Sequence, residues 1–233
     1  MDKGLPIGII GAMDDEVKGL ISRLDDKCEK EILGIKFYTG SMFSKPVVVA
    51  KCGVGKVFAA ICAQTMILHY NASVIINTGV AGSLDKRIGI KDLAVSTACV
   101  EHDMDTSPIG DPVGLISGIN IIEIPTDKEL CQKVLDAAKD LGINALSGII
   151  ATGDQFIGNA EKKKQIKDTF GAIACEMEGG AIAHTCYVNN TRCVVIRSIS
   201  DNADGGAEID FPEFTKAAAH VSTAVTTALI KQI

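Results

Sequence analysis

Short apolar runs that stop on glycine or on charge recur along this chain, and they constrain its fold more than any other feature. Ile7-Gly8-Ile9-Ile10 leads into Gly11-Ala12-Met13 and then Asp14-Asp15-Glu16. Ser73-Val74-Ile75-Ile76-Asn77 leads into Thr78-Gly79-Val80-Ala81-Gly82-Ser83, and Cys193-Val194-Val195-Ile196 into Arg197-Ser198-Ile199-Ser200-Asp201. Such runs read as strands, and Ser73 to Asn77 is apolar enough to be covered on both faces. Further strands are expected over Leu93 to Val100, ending in Glu101-His102-Asp103, and over Gly148 to Ala151. Tyr38 to Gly40 and Pro46 to Ala50 flank a turn-rich Ser41 to Lys45 and predict a hairpin.

Helical spacing fills the intervals. It appears at Val17, Leu20, Ile21 and Leu24, and after Gly53-Val54-Gly55-Lys56, where Val57, Ile61, Met66 and Leu68 are the expected apolar face. Leu130 to Leu141 and Glu178 to Val188 are helical, and Asp210-Phe211-Pro212-Glu213 supplies an N-cap and an early proline for a last helix through Val221 and Val225. Residues 105–120 are turn-rich and predict no element. Strands alternating with helices predict an α/β fold, a three-layer sandwich with a mixed central sheet and helices on both faces. With 233 residues, 47% of them hydrophobic, and no low-complexity linker, the expectation is a single domain over 1–233.

A net charge of −6 argues against nucleic-acid binding, which needs concentrated lysine and arginine. The one basic cluster, Lys162-Lys163-Lys164, reads as a solvated helix face. No cleavable signal and no run of about 20 apolar residues is present, so a soluble cytoplasmic protein without membrane attachment is expected. The eight cysteines form no CxxC pair and read as small buried hydrophobes in a reducing compartment.

In α/β folds ligands bind at the carboxyl ends of strands. Four polar clusters fall at those predicted ends: Gly11 to Glu16, Thr78 to Ser83, Gly153-Asp154-Gln155-Phe156 and Arg197 to Asp201. Cys175-Glu176-Met177-Glu178-Gly179 adds two more carboxylates at the edge of a buried element. Burying ionisable groups is costly unless they are paired, so these clusters predict one composite site built for chemistry. The glycine loops match neither a P-loop nor a dinucleotide fingerprint. Asp14, Asp15 and Glu16 would repel a phosphate, which favours a neutral nucleophile such as water. Carboxylates with an arginine between them suit cleavage of a glycosidic bond, where one acid protonates the leaving group and another activates water. Arg197 also suits a purely structural ion pair with Glu176. His102 and His184 are the rival general bases.

Ile7-Gly-Ile-Ile-Gly-Ala-Met-Asp-Asp-Glu16, Asn77-Thr-Gly-Val-Ala-Gly82, Gly153-Asp-Gln-Phe-Ile157, Glu176-Met-Glu178 and Arg197-Ser-Ile-Ser-Asp201 together resemble the bacterial 5′-methylthioadenosine/S-adenosylhomocysteine nucleosidases. Each piece alone is weakly specific; all five in this order are strongly so. The resemblance implies the nucleoside phosphorylase-like fold, a homodimer, and hydrolysis of a thio-substituted adenosine to adenine and a thioribose, with no cofactor and no metal. It implies Glu16 as the general base that activates water and Asp201 as the general acid toward adenine N7, a role that needs a protonated carboxyl group. It further implies that Glu178 binds the ribose hydroxyls, Met177 packs on the sugar or base, Phe156 stacks on adenine and the backbone of Ile157 meets its edge. Met13 and Phe211 would line the ribose and its 5′ substituent, Gly82 would border the pocket, and Arg197 and Ser200 would support the carboxylates.

Two departures from the family pattern stand out. Val80 replaces the usual serine of the glycine loop and cannot donate a hydrogen bond, which leaves water positioning to Glu16, Arg197 and backbone groups. The segment Thr106 to Pro112, which in the family crosses from the partner subunit to cover the 5′ group, is short here and lacks an aromatic near Ile109. Polar 5′ substituents are therefore admitted. Three other functions compete: a phosphorolytic enzyme of the same fold, a hydrolase of another nucleoside of the futalosine type, and a nucleoside-binding protein without chemistry.

Overall fold

The computed structural model describes residues 4–201 and 207–233, with side chains in the last stretch from residue 214 onward. Among these residues ten strands and six helices follow in the order β1 (Ile7–Gly11), α1 (Asp14–Ile21), β2 (Asp25–Ile32), β3 (Ile35–Met42), β4 (Lys45–Lys51), α2 (Lys56–Tyr70), β5 (Val74–Ser83), β6 (Leu93–Glu101), β7 (Ile124–Pro125), α3 (Lys128–Asp140), β8 (Ala145–Thr152), α4 (Ala160–Phe170), β9 (Ala174–Glu176), α5 (Gly179–Val188), β10 (Arg192–Asp201) and α6 (Ala207–Gln232). Residues 105–120 carry only one short 3₁₀ turn, Ser107–Ile109.

The mixed sheet is not a plain sandwich layer. β5 runs parallel to β1 and β10, β10 pairs antiparallel with β6, β6 parallel with β8, and β8 parallel with β9. β9 then returns antiparallel to β5 through Gly82–Cys175 and Ser83–Ala174, closing five strands into a ring. β1, β4, β3 and β2 extend outward from that ring. The predicted three-layer sandwich is corrected accordingly: helices do cover both faces, but half of the sheet curls shut. Alternation along the strands couples the two helical layers. Ile9, Ile76, Val194 and Ile196 pack with Val17, Leu20, Val225 and Leu229, while Ile10, Ile75 and Val195 pack with Ala59, Cys62, Met66 and Ile182 on the other side.

Several local expectations change. The first helix stops at Ile21, so Leu24 is buried just ahead of β2 instead of on the helix. β2 was hidden because Asp25–Ile32 is almost wholly solvent-exposed and carries no alternating apolar pattern. α2 buries its small residues, Ala59, Cys62, Ala63 and Met66, against the neighbouring layer, and leaves Val57, Ile61 and Leu68 outside. Only Met66 of the expected apolar face is internal. The last helix begins at Ala207, so Asp210 lies inside it and is not its cap. Seven cysteines are buried and free, while Cys28 is exposed. Among the described residues no helix is long and apolar enough to cross a membrane.

The hairpin is as expected, with the turn narrowed to Phe43-Ser44. Both residues have positive φ, 53° and 63°, the geometry of a turn whose twist matches that of its strands.

Candidate active site

The parallel strands β1, β4, β5 and β10 all point their carboxyl ends the same way, and β8 and β9 deliver Gly153 to Phe156 and Met177 to Glu178 to that end. A cavity of about 90 Å³ opens there, lined among others by Met13, Glu16, Val80, Phe156, Glu178 and Asp201. A smaller adjoining hollow of about 30 Å³ is bounded by Gly82, Gln155, Phe156, Ile157, Met177 and Asp201, but not by Glu16. The two carboxyl groups therefore mark different ends of one site.

Glu16 occupies the third position of α1, and its side chain turns back over the helix start. Its Oε2 accepts from Ala12 N at 2.6 Å and Met13 N at 2.9 Å, and its Oε1 accepts from Val80 N at 3.0 Å. The residue is 1% exposed. Burial raises its pKa above the usual glutamate value, opposed by the Arg197 guanidinium and these backbone donors. A carboxylate so held is oriented, poorly hydrated and more basic than one in water. Gly79 is required beside it, since a Cβ there would lie 2.5 Å from Glu16 Oε1 and also collide with Arg197 Nη1.

Arg197, 1% exposed, organises the acids. Its Nη2 donates to Asn77 Oδ1 at 2.5 Å, to Glu176 Oε2, and to Glu178 Oε2 at 3.4 Å, while Nη1 donates to Val80 O at 3.3 Å. Glu176 is fully engaged in structure: Thr152 Oγ1 donates to Oε1, and Glu178 N and Gly179 N, at the start of α5, donate to Oε2 at 2.9 and 2.7 Å. The structural pairing considered for Arg197 is thus real, and it coexists with contact to Glu178. Glu178 accepts from Gly55 N at 2.9 Å. Burial pushes Glu178 up to about 7, with Arg197 pulling the other way and Glu176 adding to the rise.

Asp201 ends β10 after a bulge that restores its pairing with Gly82. A Cβ at Gly82 would sit 2.8 Å from Asp201 Oδ2, so glycine lets the strands approach. Ser200 Oγ donates to Asp201 Oδ1 at 3.2 Å. The other oxygen, Oδ2, accepts from Lys163 Nζ at 2.7 Å. This corrects the solvated-face reading of the basic cluster: Lys162 and Lys164 are exposed, but Lys163 is 2% exposed. The group facing Asp201 is a cation, where a protonated acid would be helped by a second carboxylate.

This architecture matches known proteins over almost its whole length. The model of the phosphorylase superfamily matches residues 6–231. A 5′-methylthioadenosine/S-adenosylhomocysteine nucleosidase of Staphylococcus aureus is 40% identical over 228 residues, 97% of this chain and all of that protein. The chain belongs to this nucleosidase family. Among solved structures, the Helicobacter pylori nucleosidase complexed with a pyrrolopyrimidine-pyrrolidine ligand is 36% identical, with a TM-score of 0.94 over 98% of this chain and 99% of that one. The futalosine hydrolase of Helicobacter pylori strain 26695 is 34% identical, with a TM-score of 0.94 over 98% of each chain.

Within this family member, Met13, Glu16, Gly82, Phe156, Met177, Glu178, Arg197, Ser200 and Asp201 line one cavity, and Ile157 borders its adjoining hollow. Phe156 is half exposed at the rim. The side chain of Phe211 lies outside the described residues. Neither rival histidine lines the cavity: His102 borders a separate cleft with Asp105 and Phe170, and His184, on α5, meets Glu101 Oε1 through its Nδ1 at 3.1 Å. Sequence reasoning missed Lys163, Asn77 and Val54. Val54 follows a glycine and was legible only as part of a turn, yet it is exposed at the cavity wall.

Proposed function

We propose that the whole chain, 1–233, acts as one N-glycosyl hydrolase domain that cleaves 5′-methylthioadenosine and S-adenosylhomocysteine, releasing adenine and a 5-thio-substituted ribose. The observation that carries this is one cavity with a desolvated carboxylate, Glu16, at one end and Asp201 at the other beside Phe156 and Ile157. In this assignment Glu16 removes a proton from water as its oxygen attacks ribose C1′. Glu178 accepts from the ribose hydroxyls, Phe156 and Met177 pack on the base, the Ile157 backbone meets its edge, and Asp201 delivers a proton to N7. Met13 and Phe211 line the 5′ side, Gly82 gives the base room, and Arg197 and Ser200 hold the acids. The developing sugar cation is favoured by the surrounding carboxylates.

Water is favoured over phosphate as nucleophile by charge. Arg197 is the one cationic side chain lining the cavity among the described residues, and it is already bonded to Asn77, Glu176, Glu178 and Val80. An incoming phosphate would meet Glu16, Glu176 and Glu178 with no free cation. Purified protein is therefore expected to release adenine from 5′-methylthioadenosine in phosphate-free buffer, at a rate that added phosphate does not raise. Release that depends on phosphate would make it a phosphorylase, and binding without release a nucleoside-binding protein. Val80, apolar where the family often has serine, supports a second substrate of the futalosine type; kcat/KM measured side by side ranks the two.

Glu178 gives the site a pH signature. Its carboxyl is ionised above about pH 7 and protonated below, so its power to accept from ribose hydroxyls fades in acid. An inert nucleoside analogue is expected to bind about tenfold more weakly near pH 6 than near pH 8. Titration calorimetry on the native protein and on Glu178→Gln checks this, and the variant should show a flat profile.

A homodimer fits the exposed apolar surface. Val57 on α2 and Val188 on α5, 68% and 53% exposed, share one groove, and Ile109 in the segment Thr106 to Pro112 is 83% exposed. The family resemblance implies that in such a dimer the segment Thr106 to Pro112 of one copy reaches its neighbour's site. The family resemblance implies no cofactor or metal, and a cytoplasmic location suits the free thiols.

A further inference from the structure

Lys163 is an expensive residue where it stands. It lies in the first turn of α4, where the helix dipole disfavours a cation, and its ammonium is out of contact with water. A buried charge of this kind persists only when paired, and among the described residues it is paired with Asp201, also 2% exposed. Lys163 does not line the cavity, while Asp201 does. The lysine therefore reaches the acid from behind, leaving its front to the ligand.

An ion-paired carboxylate has no proton of its own to give. The described groups that donate to the Asp201 carboxylate are Lys163 Nζ and Ser200 Oγ, and an aliphatic hydroxyl is far too weak an acid to serve. The neighbouring Cys175 thiol is pushed up to about 12 by burial. We propose that the Lys163 ammonium stores the proton that the leaving base receives, and passes it through Asp201. This rests on the assignment of Asp201 as general acid.

The step balances. The electron pair of the bond between C1′ and N9 departs with the purine. An O–H bond forms on Asp201 as an N–H bond of Lys163 breaks, and that O–H breaks in turn as N–H forms at N7. The base leaves neutral, Asp201 is again a carboxylate, and Lys163 is a neutral amine that is reprotonated through Asp201, which lines the cavity and takes a proton from solvent there once the base has left. Water that attacks C1′ loses its proton to Glu16.

Arginine in place of lysine keeps the ion pair but cannot give up its proton. Two substrates separate proton supply from structure: 5′-methylthioadenosine, whose base needs protonation, and the 4-nitrophenyl glycoside of 5-methylthioribose, whose leaving group departs as a stable anion. Lys163→Arg is expected to lower kcat on the nucleoside about 100-fold, with KM within about threefold, and to raise the ratio of nitrophenyl to nucleoside kcat by a similar factor. Asp201→Asn should shift that ratio in the same direction, and the double variant should lose no more than Asp201→Asn alone. Lys163→Met provides a second test if the arginine is not accommodated, with near-ultraviolet circular dichroism confirming the fold of each. Native kcat in Lys163→Arg, or equal losses on both substrates, overturns the relay. Native kcat in Asp201→Asn overturns the general-acid assignment itself, whereas a loss there with none in Lys163→Arg leaves that assignment standing and removes only the lysine.

Discussion

Glu16→Gln is expected to lower kcat for adenine release by about 1000-fold, within the range a positioned general base contributes, while KM stays within about threefold. The substitution preserves shape and removes the basic lone pair. It also disturbs three backbone donors, because Oε2 accepts from Ala12 N and Met13 N while Oε1 accepts from Val80 N. An amide presents one oxygen and one NH₂, so at least one of these N–H groups loses its acceptor, at a cost of about 1–3 kcal/mol. Relief from burying a charge opposes that cost, so the melting temperature should move far less than the rate. Rapid-quench or coupled adenine assays on the folded variant decide the matter. Hydrolysis at the native rate would show that the base is another group.

Arg197→Met should have the largest effect on stability. The guanidinium is buried and touches Asn77, Glu176 and Glu178, and its field also reaches Glu16. Removing it leaves three carboxyl groups in one buried volume with no cation among them. Breaking a buried pair in this way costs about 3–5 kcal/mol. The sign of its pH dependence follows. The orphaned carboxyl groups hold protons more tightly in the folded variant than in the unfolded chain, so its deficit relative to the native protein shrinks as pH falls. Urea denaturation near pH 8 and near pH 5 should give the larger gap at the higher pH, and a gap that does not change with pH would remove Arg197 from its role as common counter-ion. Activity should be lost with it, since Glu16 and Glu178 would both take up protons.

The contrast between Lys163 and Glu16 shows what was legible before folding. Glu16 stands three residues after Met13 at the end of an apolar run, and a strand that ends at the start of a helix places such a carboxylate at a site by local geometry alone. The same holds for Glu178 and for Arg197 to Asp201, each next to the strand that carries it. α2 fared worse, because Val57, Ile61 and Leu68 are as hydrophobic as core residues. The inward stripe is Ala59, Cys62, Ala63 and Met66, chosen because small side chains allow a helix to pack close to its neighbour. β2 escaped notice for the opposite reason: an exposed edge strand needs no apolar alternation.

From the order of its residues alone this chain determines most of its strands and helices, and a set of carboxylates at strand ends, since each depends on short-range periodicity and on the chemistry of adjacent positions. Closure of the ring, and with it the meeting of Lys163 and Asp201, was decided only by tertiary structure. Those two residues are 38 positions apart on different elements. A lysine in a polar helical turn looks the same whether it faces water or a buried acid, and only the return of β9 to β5 and the packing of α4 at the end of β8 settle which it meets.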